Sequence, residues 1–165
     1  MKFPRERDLE DYIWTDVTRL YRHFRPLARQ FHVPNGIIDI LTYTANGDLW
    51  VVELKRNEIQ KDDLIQVSRY GVDIYEIAYS IVESMGIYQT FGMPTIRKMV
   101  VGYDISPKYQ AICAYLDIWG VTYNHFPEFR VVATPGGPEA STHDIALSAT
   151  FDNYRALLRK LAQEQ

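Results

Sequence analysis

Apolar and polar positions along the chain fall into blocks whose period changes from helical to strand-like and back. From Arg5 to about Tyr21, Leu9, Ile13, Val17, Leu20 and Phe24 recur at three and four residues, one face of a helix that Pro26 ends. Ala28 to Val33 predicts a short strand, and Pro34-Asn35-Gly36 a turn. Between Gly36 and Lys55 two apolar, β-branched runs of strand length meet at Asn46-Gly47, which predicts a β-hairpin. A helix is predicted from about 60–62 to Ser84, with acids in its first turn and Leu64, Val67, Gly71, Ile74, Ala78, Ile81 and Val82 on its apolar face, before Gly86 stops it. Gly86 to Pro94 reads as a loop and Arg97 to Tyr103 as a strand. Ser106-Pro107 starts a helix over Lys108 to Trp119 that carries Ile112, Tyr115 and Leu116 and that Gly120 closes; Val121 to Phe126 is a further strand. Residues 134–142 read as a mobile loop and 143–163 as a last helix bearing Leu147, Phe151, Tyr154, Leu158 and Leu161. A hairpin followed by strand, helix and strand predicts an α/β fold, a mixed central β-sheet flanked by helices, in a single domain over 1–165 with its core at about 5–126.

The hairpin carries charge where apolar side chains belong. Asp39 lies in its first run, and Glu53-Leu54-Lys55 ends its second. A strand this apolar is expected to be buried on both faces, and an unpaired buried carboxylate costs several kcal/mol, so these charges need partners that a divalent metal supplies. Residues two apart share a face, so Glu53 and Lys55 point together. A two-residue Asn46-Gly47 turn would set Asp39 opposite Leu54. A three-residue Ala45-Asn46-Gly47 loop with Gly47 at the left-handed bulge position sets Asp39 across from Glu53, where two carboxylates can share one ion, and is the expected arrangement.

Composition narrows the class without naming it. A hydrophobic content of 47% with 24% charged residues is that of an ordinary globular protein, and a single cysteine, Cys113, excludes an internal disulfide. No apolar run reaches membrane-spanning length, and Met1 to Arg7 lacks the apolar core of a signal peptide, so the expectation is a cytoplasmic protein with no membrane partner. A net charge of −3 argues against an indiscriminate nucleic-acid coat. Yet Arg19, Arg22, Arg25 and Arg29 lie in an acid-free stretch between Val17 and Ile38; they either track a phosphate backbone or form a solvated face.

Two acids and a lysine at this spacing, with Gln66 and Tyr70 one turn apart on the following helix, resemble the active site of the PD-(D/E)xK nuclease superfamily in its RecB-like branch. The detailed match, in Gly36-Ile37-Ile38-Asp39-Ile40-Leu41, Val51-Val52-Glu53-Leu54-Lys55-Arg56 and Gln66-Val67-Ser68-Arg69-Tyr70, is similar to the catalytic domain of NucS-type, mismatch-cutting endonucleases. Ile38 stands where the superfamily's namesake proline would be, and the separate N-terminal DNA-binding and dimerisation domain of such enzymes has no counterpart here. The resemblance implies a restriction-endonuclease-like sheet and a metal-dependent endonuclease hydrolysing DNA phosphodiester bonds in repair, recombination or the processing of phage or mobile-element DNA. It implies Mg²⁺ or Mn²⁺ held by Asp39, Glu53 and the Leu54 carbonyl, with Lys55 at the attacking water and Gln66 and Tyr70 positioning that lysine or a phosphate. It also implies a supporting glutamate on the first helix: Glu6 fits best and Glu10 second. Arg56 and Arg69 are further candidates for phosphate contacts, and a homodimer or a partner protein would supply recognition. Two readings compete: a DNA-binding or protein-interaction module that keeps the fold without catalysis, and a nuclease directed at RNA.

Overall fold

The stretch from Gly36 to Lys55 folds as the hairpin its pattern predicts. Strand β2 (Gly36–Tyr43) runs antiparallel to β3 (Leu49–Leu54), with Tyr43 opposite Leu49 and Ile40 opposite Val52. The Thr44 N–H donates to the Asp48 carbonyl at 3.0 Å, the Gly47 N–H to the Thr44 carbonyl at 2.8 Å, and Gly47 takes φ +88°, the left-handed conformation that glycine adopts without a Cβ penalty. This is the register of the three-residue loop. The computed structural model describes residues 1–45, 47–84 and 94–135. The expected 86–94 loop, apart from Pro94, the 134–142 loop beyond Pro135 and the 143–163 helix lie outside the described residues.

Among the described residues six strands form one sheet in chain order, with β1 (Arg25–Val33), β4 (Ile96–Gly102), β5 (Ile118–His125) and β6 (Glu128–Ala133) completing it. β3, β4 and β5 are mutually parallel, and the outer pairs β1–β2 and β5–β6 are antiparallel. Every residue of β3 is buried, because helices cover both faces. On one face α1 (Glu6–Trp14) lays Leu9 and Ile13 on Ile40, Trp50, Val52 and Leu54; burying each such aliphatic side chain contributes about 2 kcal/mol. On the other, α2 (Lys61–Ser84) and α3 (Pro107–Tyr115) pack Leu64, Val67, Ile74 and Cys113 on Leu41, Val51 and Val100. Among the described residues no helix is long and apolar enough to cross a membrane.

Two sequence expectations are corrected. The first helix stops at Trp14, not near Tyr21: Asp16 accepts from the Thr18 N–H at 3.0 Å and starts a separate 3₁₀ turn over Val17–Arg19, and Pro26 falls inside edge strand β1, next to a register shift between Pro26 and Ala28, where proline is tolerated. Helix α3 ends at Tyr115, which is exposed, and the left-handed turn there belongs to Asp117 at φ +56°, not to Gly120. Gly120 lies in β5, where a Cβ would come within 3.0 Å of Ala133 and Ile105, so close packing accounts for it. Strand β6 has no counterpart among the expected elements; it is a half-exposed edge strand.

One polar group crosses the α2 layer. Lys98 on β4 is buried; its stem passes Gly71, where a Cβ would meet Lys98 Cδ at 2.9 Å, and its Nζ donates to the Leu116 carbonyl at 2.8 Å. Burial lowers its pKa to about 7, opposed by Asp117. The unfolded chain therefore holds a proton that the folded chain releases between about pH 7 and 10.5, and wild-type stability is expected to rise with pH there. Relative to Lys98→Met, the gain should approach about 1.4 kcal/mol per pH unit, read by urea unfolding from pH 7.5 to 10. A difference between the two proteins that does not change with pH would contradict the buried, shifted lysine.

Candidate functional site

The pairing of β2 with β3 ends at Ile40 and Val52, and the next position in that register sets Asp39 against Glu53. Here the strands part, and a side chain takes over from the backbone: the Leu54 N–H donates to Asp39 Oδ2 at 2.8 Å. Ile38 and Leu41, three apart, pack on the α2 face while Ile40 packs on the α1 face, so strict alternation breaks at Asp39. Beside it on β1, Gln30 has φ +49°, sparsely populated by non-glycine residues. Its Nε2 donates to Glu10 Oε2 at 2.7 Å and lies 3.5 Å from Asp39 Oδ1.

Glu53 is buried. Its Oε1 is 3.0 Å from Lys55 Nζ, and its Oε2 is buried with no hydrogen-bond partner. Lys55 Nζ also lies 3.7 Å from Glu6 Oε1 and 3.9 Å from Asp63 Oδ1, so α1, β3 and the first turn of α2 converge on one ammonium. Glu6 accepts the Arg56 N–H at 3.2 Å. Asp63 accepts the Gln60 N–H at 2.8 Å, capping α2 with the same carboxylate that faces the lysine. A cavity of about 470 Å³ opens over Glu6, Glu10, Arg29, Gln30 and Asp39.

Residues 5–101, more than half of the chain, match the Endonuclease NucS C-terminal domain family. The chain belongs to that family. The Endonuclease NucS of Sulfolobus acidocaldarius is 28% identical over 108 residues, 63% of this chain and 43% of the relative. That of Sulfurisphaera tokodaii is 29% identical over 65 residues, 39% of this chain and 26% of the relative. The crystal structure of a repair endonuclease from Pyrococcus abyssi shares the fold at TM-score 0.53 and 18% identity, over 73% of this chain and 47% of that one. The chain spans less than half the length of these relatives.

In this NucS C-terminal domain, burial dominates the titration of the acids. It pushes Glu53 up to about 8, with Asp39 repelling its charge and Lys55 partly opposing the rise. It pushes Asp39 up to about 6, against the Leu54 N–H and Lys55. Burial alone would lower Lys55, yet Glu53, Glu6 and Asp63 together raise it above its ordinary value, so it stays an ammonium. Among the described residues no three His, Cys, Asp or Glu side chains lie close enough to form a ready-made metal cage. Asp39 and Glu53 present carboxylate oxygens there, Glu53 Oε2 without a hydrogen-bond partner.

The other sequence candidates fall into two groups. Gln66 Nε2 donates to Tyr70 Oη at 2.7 Å, and Tyr70 Oη accepts the Ile37 N–H at 3.3 Å. The pair thus grips the start of β2, and neither shares a hydrogen bond with Lys55. Gly36, at φ +145°, leaves room for that hydroxyl: a Cβ there would stand 2.6 Å from it. Of the arginines, Arg29 is held by Glu10 and Asp11 at 2.6 Å each, and Arg19 by the Tyr12 carbonyl and Thr15 Oγ1 over the Tyr12 ring. Arg22, Arg25, Arg56 and Arg69 are exposed. Glu10 reaches the site through Gln30, while Glu6 faces Lys55 directly.

Sequence reasoning missed Gln30, Asp63 and Asp73. Asp73 accepts from the Asn35 N–H at 3.0 Å and Asn35 Nδ2 at 2.8 Å, pinning the β1–β2 turn to α2. Asp63 was visible as a first-turn acid, three residues before Gln66; no sequence signal marks the left-handed Gln30.

Folded Glu53 keeps its proton up to about pH 8, whereas an unfolded glutamate releases it near 4.5, so this residue's contribution to stability falls as pH rises through that window. Glu53→Gln, which cannot ionise, is expected to exceed wild type by roughly 1–3 kcal/mol at pH 8 and to approach it at pH 5, measured by urea unfolding in EDTA. A Glu53→Gln protein less stable than wild type at both pH values would contradict the strained carboxylate.

Proposed function

We propose that this chain is a divalent-metal-dependent endonuclease of the PD-(D/E)xK type that hydrolyses DNA phosphodiester bonds, in a DNA-repair setting. The observation that carries the reading is the buried Glu53, one oxygen without a partner, set in register with Asp39 and 3.0 Å from the Lys55 ammonium. Two acids crowded in a buried place are unfavourable for the fold because one of them is held protonated, and acids perturbed in this way cluster at functional sites, which supports a cation as the missing partner. Membership in a family named for an endonuclease supports the same reading.

The donor set fits the ion. Asp39, Glu53 and the Leu54 carbonyl would hold Mg²⁺ or Mn²⁺, hard cations that take oxygen ligands and leave positions for water and phosphate. When bound, the ion supplies Lewis acidity that activates a water for attack at phosphorus and offsets charge on the phosphoryl oxygens. Lys55, held protonated by Glu53, Glu6 and Asp63, donates to the attacking water or to a developing anionic oxygen and is not the base. Gln66 and Tyr70 act one step back: by gripping Ile37 they fix the segment that presents Asp39. Arg56 and Arg69, both exposed, would make phosphate contacts of the bidentate kind, and Arg22 and Arg25 would add to the basic surface. A second copy of the chain or a partner protein supplies what further recognition the substrate needs.

Duplex, mismatched, flapped and single-stranded DNA, with matched RNA, presented to the full chain with Mg²⁺, Mn²⁺ or EDTA test this directly. Cutting of DNA that needs metal and falls at least about 100-fold in Glu53→Gln and in Lys55→Ala, with folding intact, is the expected result. Cutting that survives both substitutions, or restricted to RNA, would overturn the assignment.

A further inference from the structure

Two arginines line the cavity over Asp39 together with its acids, Arg7 from α1 and Arg29 from β1, and they differ in what holds them. Arg29 is committed to Glu10 and Asp11 at 2.6 Å each. Arg7 is exposed and makes no hydrogen bond or ion pair among the described residues. Every acid within about a turn of it on α1 is engaged elsewhere. Glu6 faces Lys55 and accepts the Arg56 N–H, and Asp8 is bonded by the Arg5 side chain at 2.7 and 3.1 Å. Glu10 is held by Arg29 and Gln30, and Asp11, at the i+4 position where helix ion pairs form, by Arg29. Asp8 feels Arg7 only as a neighbouring charge. Nor does the helix gain from it: a cation in the first turn faces the positive end of the helix dipole.

The chemistry of the cavity says what this guanidinium can meet. Glu6, Glu10 and Asp39 line the same space, so a phosphate diester approaching a cation at Asp39 passes a wall of like charge. With Arg29 and Gln30 both turned to Glu10, Arg7 is the lining residue with donors to offer it. A planar guanidinium carries those donors in a fork that matches two oxygens of one phosphate. We propose that Arg7 binds the phosphate of the DNA strand that enters this cavity, its guanidinium on the two non-bridging oxygens, so that the strand passes between α1 and β1. The inference rests on the reading of DNA as substrate and of Asp39 with Glu53 as the cation site. It gives the two lining arginines separate work: Arg29 holds acids of the protein, and Arg7 holds the substrate.

Each phosphate bound by a cationic side chain releases counterions, so the contact is read from salt dependence. Binding of the full chain to a labelled flap DNA, which presents duplex and single strand together, is followed by fluorescence anisotropy from low to high NaCl, with Ca²⁺ in place of Mg²⁺ at the oxygen ligands. Arg7→Ala is expected to bind about 10-fold more weakly at fixed salt and to reduce the slope of log affinity against log salt by about 0.7–0.9, the equivalent of one phosphate contact. Arg7→Lys, which keeps the charge and loses the fork, should keep the slope while binding more weakly than wild type. Arg130→Ala, on edge strand β6 and paired with Glu128 at 2.7 Å, should match wild type in both. An unchanged slope in Arg7→Ala, or an equal loss in Arg130→Ala, would overturn the assignment. Wild-type binding of DNA with an unchanged slope in Arg7→Ala removes Arg7 alone and leaves the DNA reading standing, whereas a wild type that binds no DNA removes both.

Discussion

Where β2 and β3 separate, the Asp39 carboxylate takes the Leu54 N–H that a backbone carbonyl would otherwise accept, and everything at the site is arranged around that substitution. A strand pair that continued would bury Asp39 and Glu53 as two unpartnered acids in a closed ladder. By parting, it opens one side of the pair to a cavity while the other stays packed in the sheet. Burial raises both carboxylates, and Lys55, joined by Glu6 and Asp63, balances only part of the charge. The local excess of acid is the physical basis for the proposed cation site.

The surroundings hold this unfavourable arrangement in place. Helix α2 grips the β1–β2 hairpin twice, through Tyr70 on Ile37 and Asp73 on Asn35, and its first turn contributes Asp63. Helix α1 contributes Glu6 to Lys55 and Glu10 to the Gln30 bridge. Gln30, at φ +49°, is the backbone's concession on the β1 side, and strain of this kind persists only where neighbours over-determine it. Arg29, engaged by Glu10 and Asp11, neutralises acids at the wall of the cavity and so buttresses the site.

Much of this was legible in the sequence because it depended on local rules. The register of Asp39 against Glu53 followed from loop chemistry at Ala45-Asn46-Gly47, and the bounds of α2 followed from its first-turn acids and its stripe from Leu64 to Val82. What was not legible depended on tertiary context. The apolar stripe through Val17 and Leu20 is buried as expected, but Asp16 breaks the helix that the stripe suggested. Gly120 looks like a helix cap from its neighbours and is in fact a contact point between β5, Ala133 and Ile105. Gln30 reads as an ordinary strand residue; only the break in alternation at Asp39 gives it a role. Gln66 and Tyr70 were marked by the resemblance, since their spacing alone describes a packed helix edge, and their hold on the Ile37 amide required the fold.

The central claim is that Asp39 and Glu53 form a strained pair completed by a divalent cation. Calorimetric titration of Mn²⁺ into the full chain, and into Glu53→Gln with its fold verified by circular dichroism, tests it most directly. The account predicts one ion bound per chain in the wild type and none in the variant. No binding by the wild type, or equal binding by both, would contradict it.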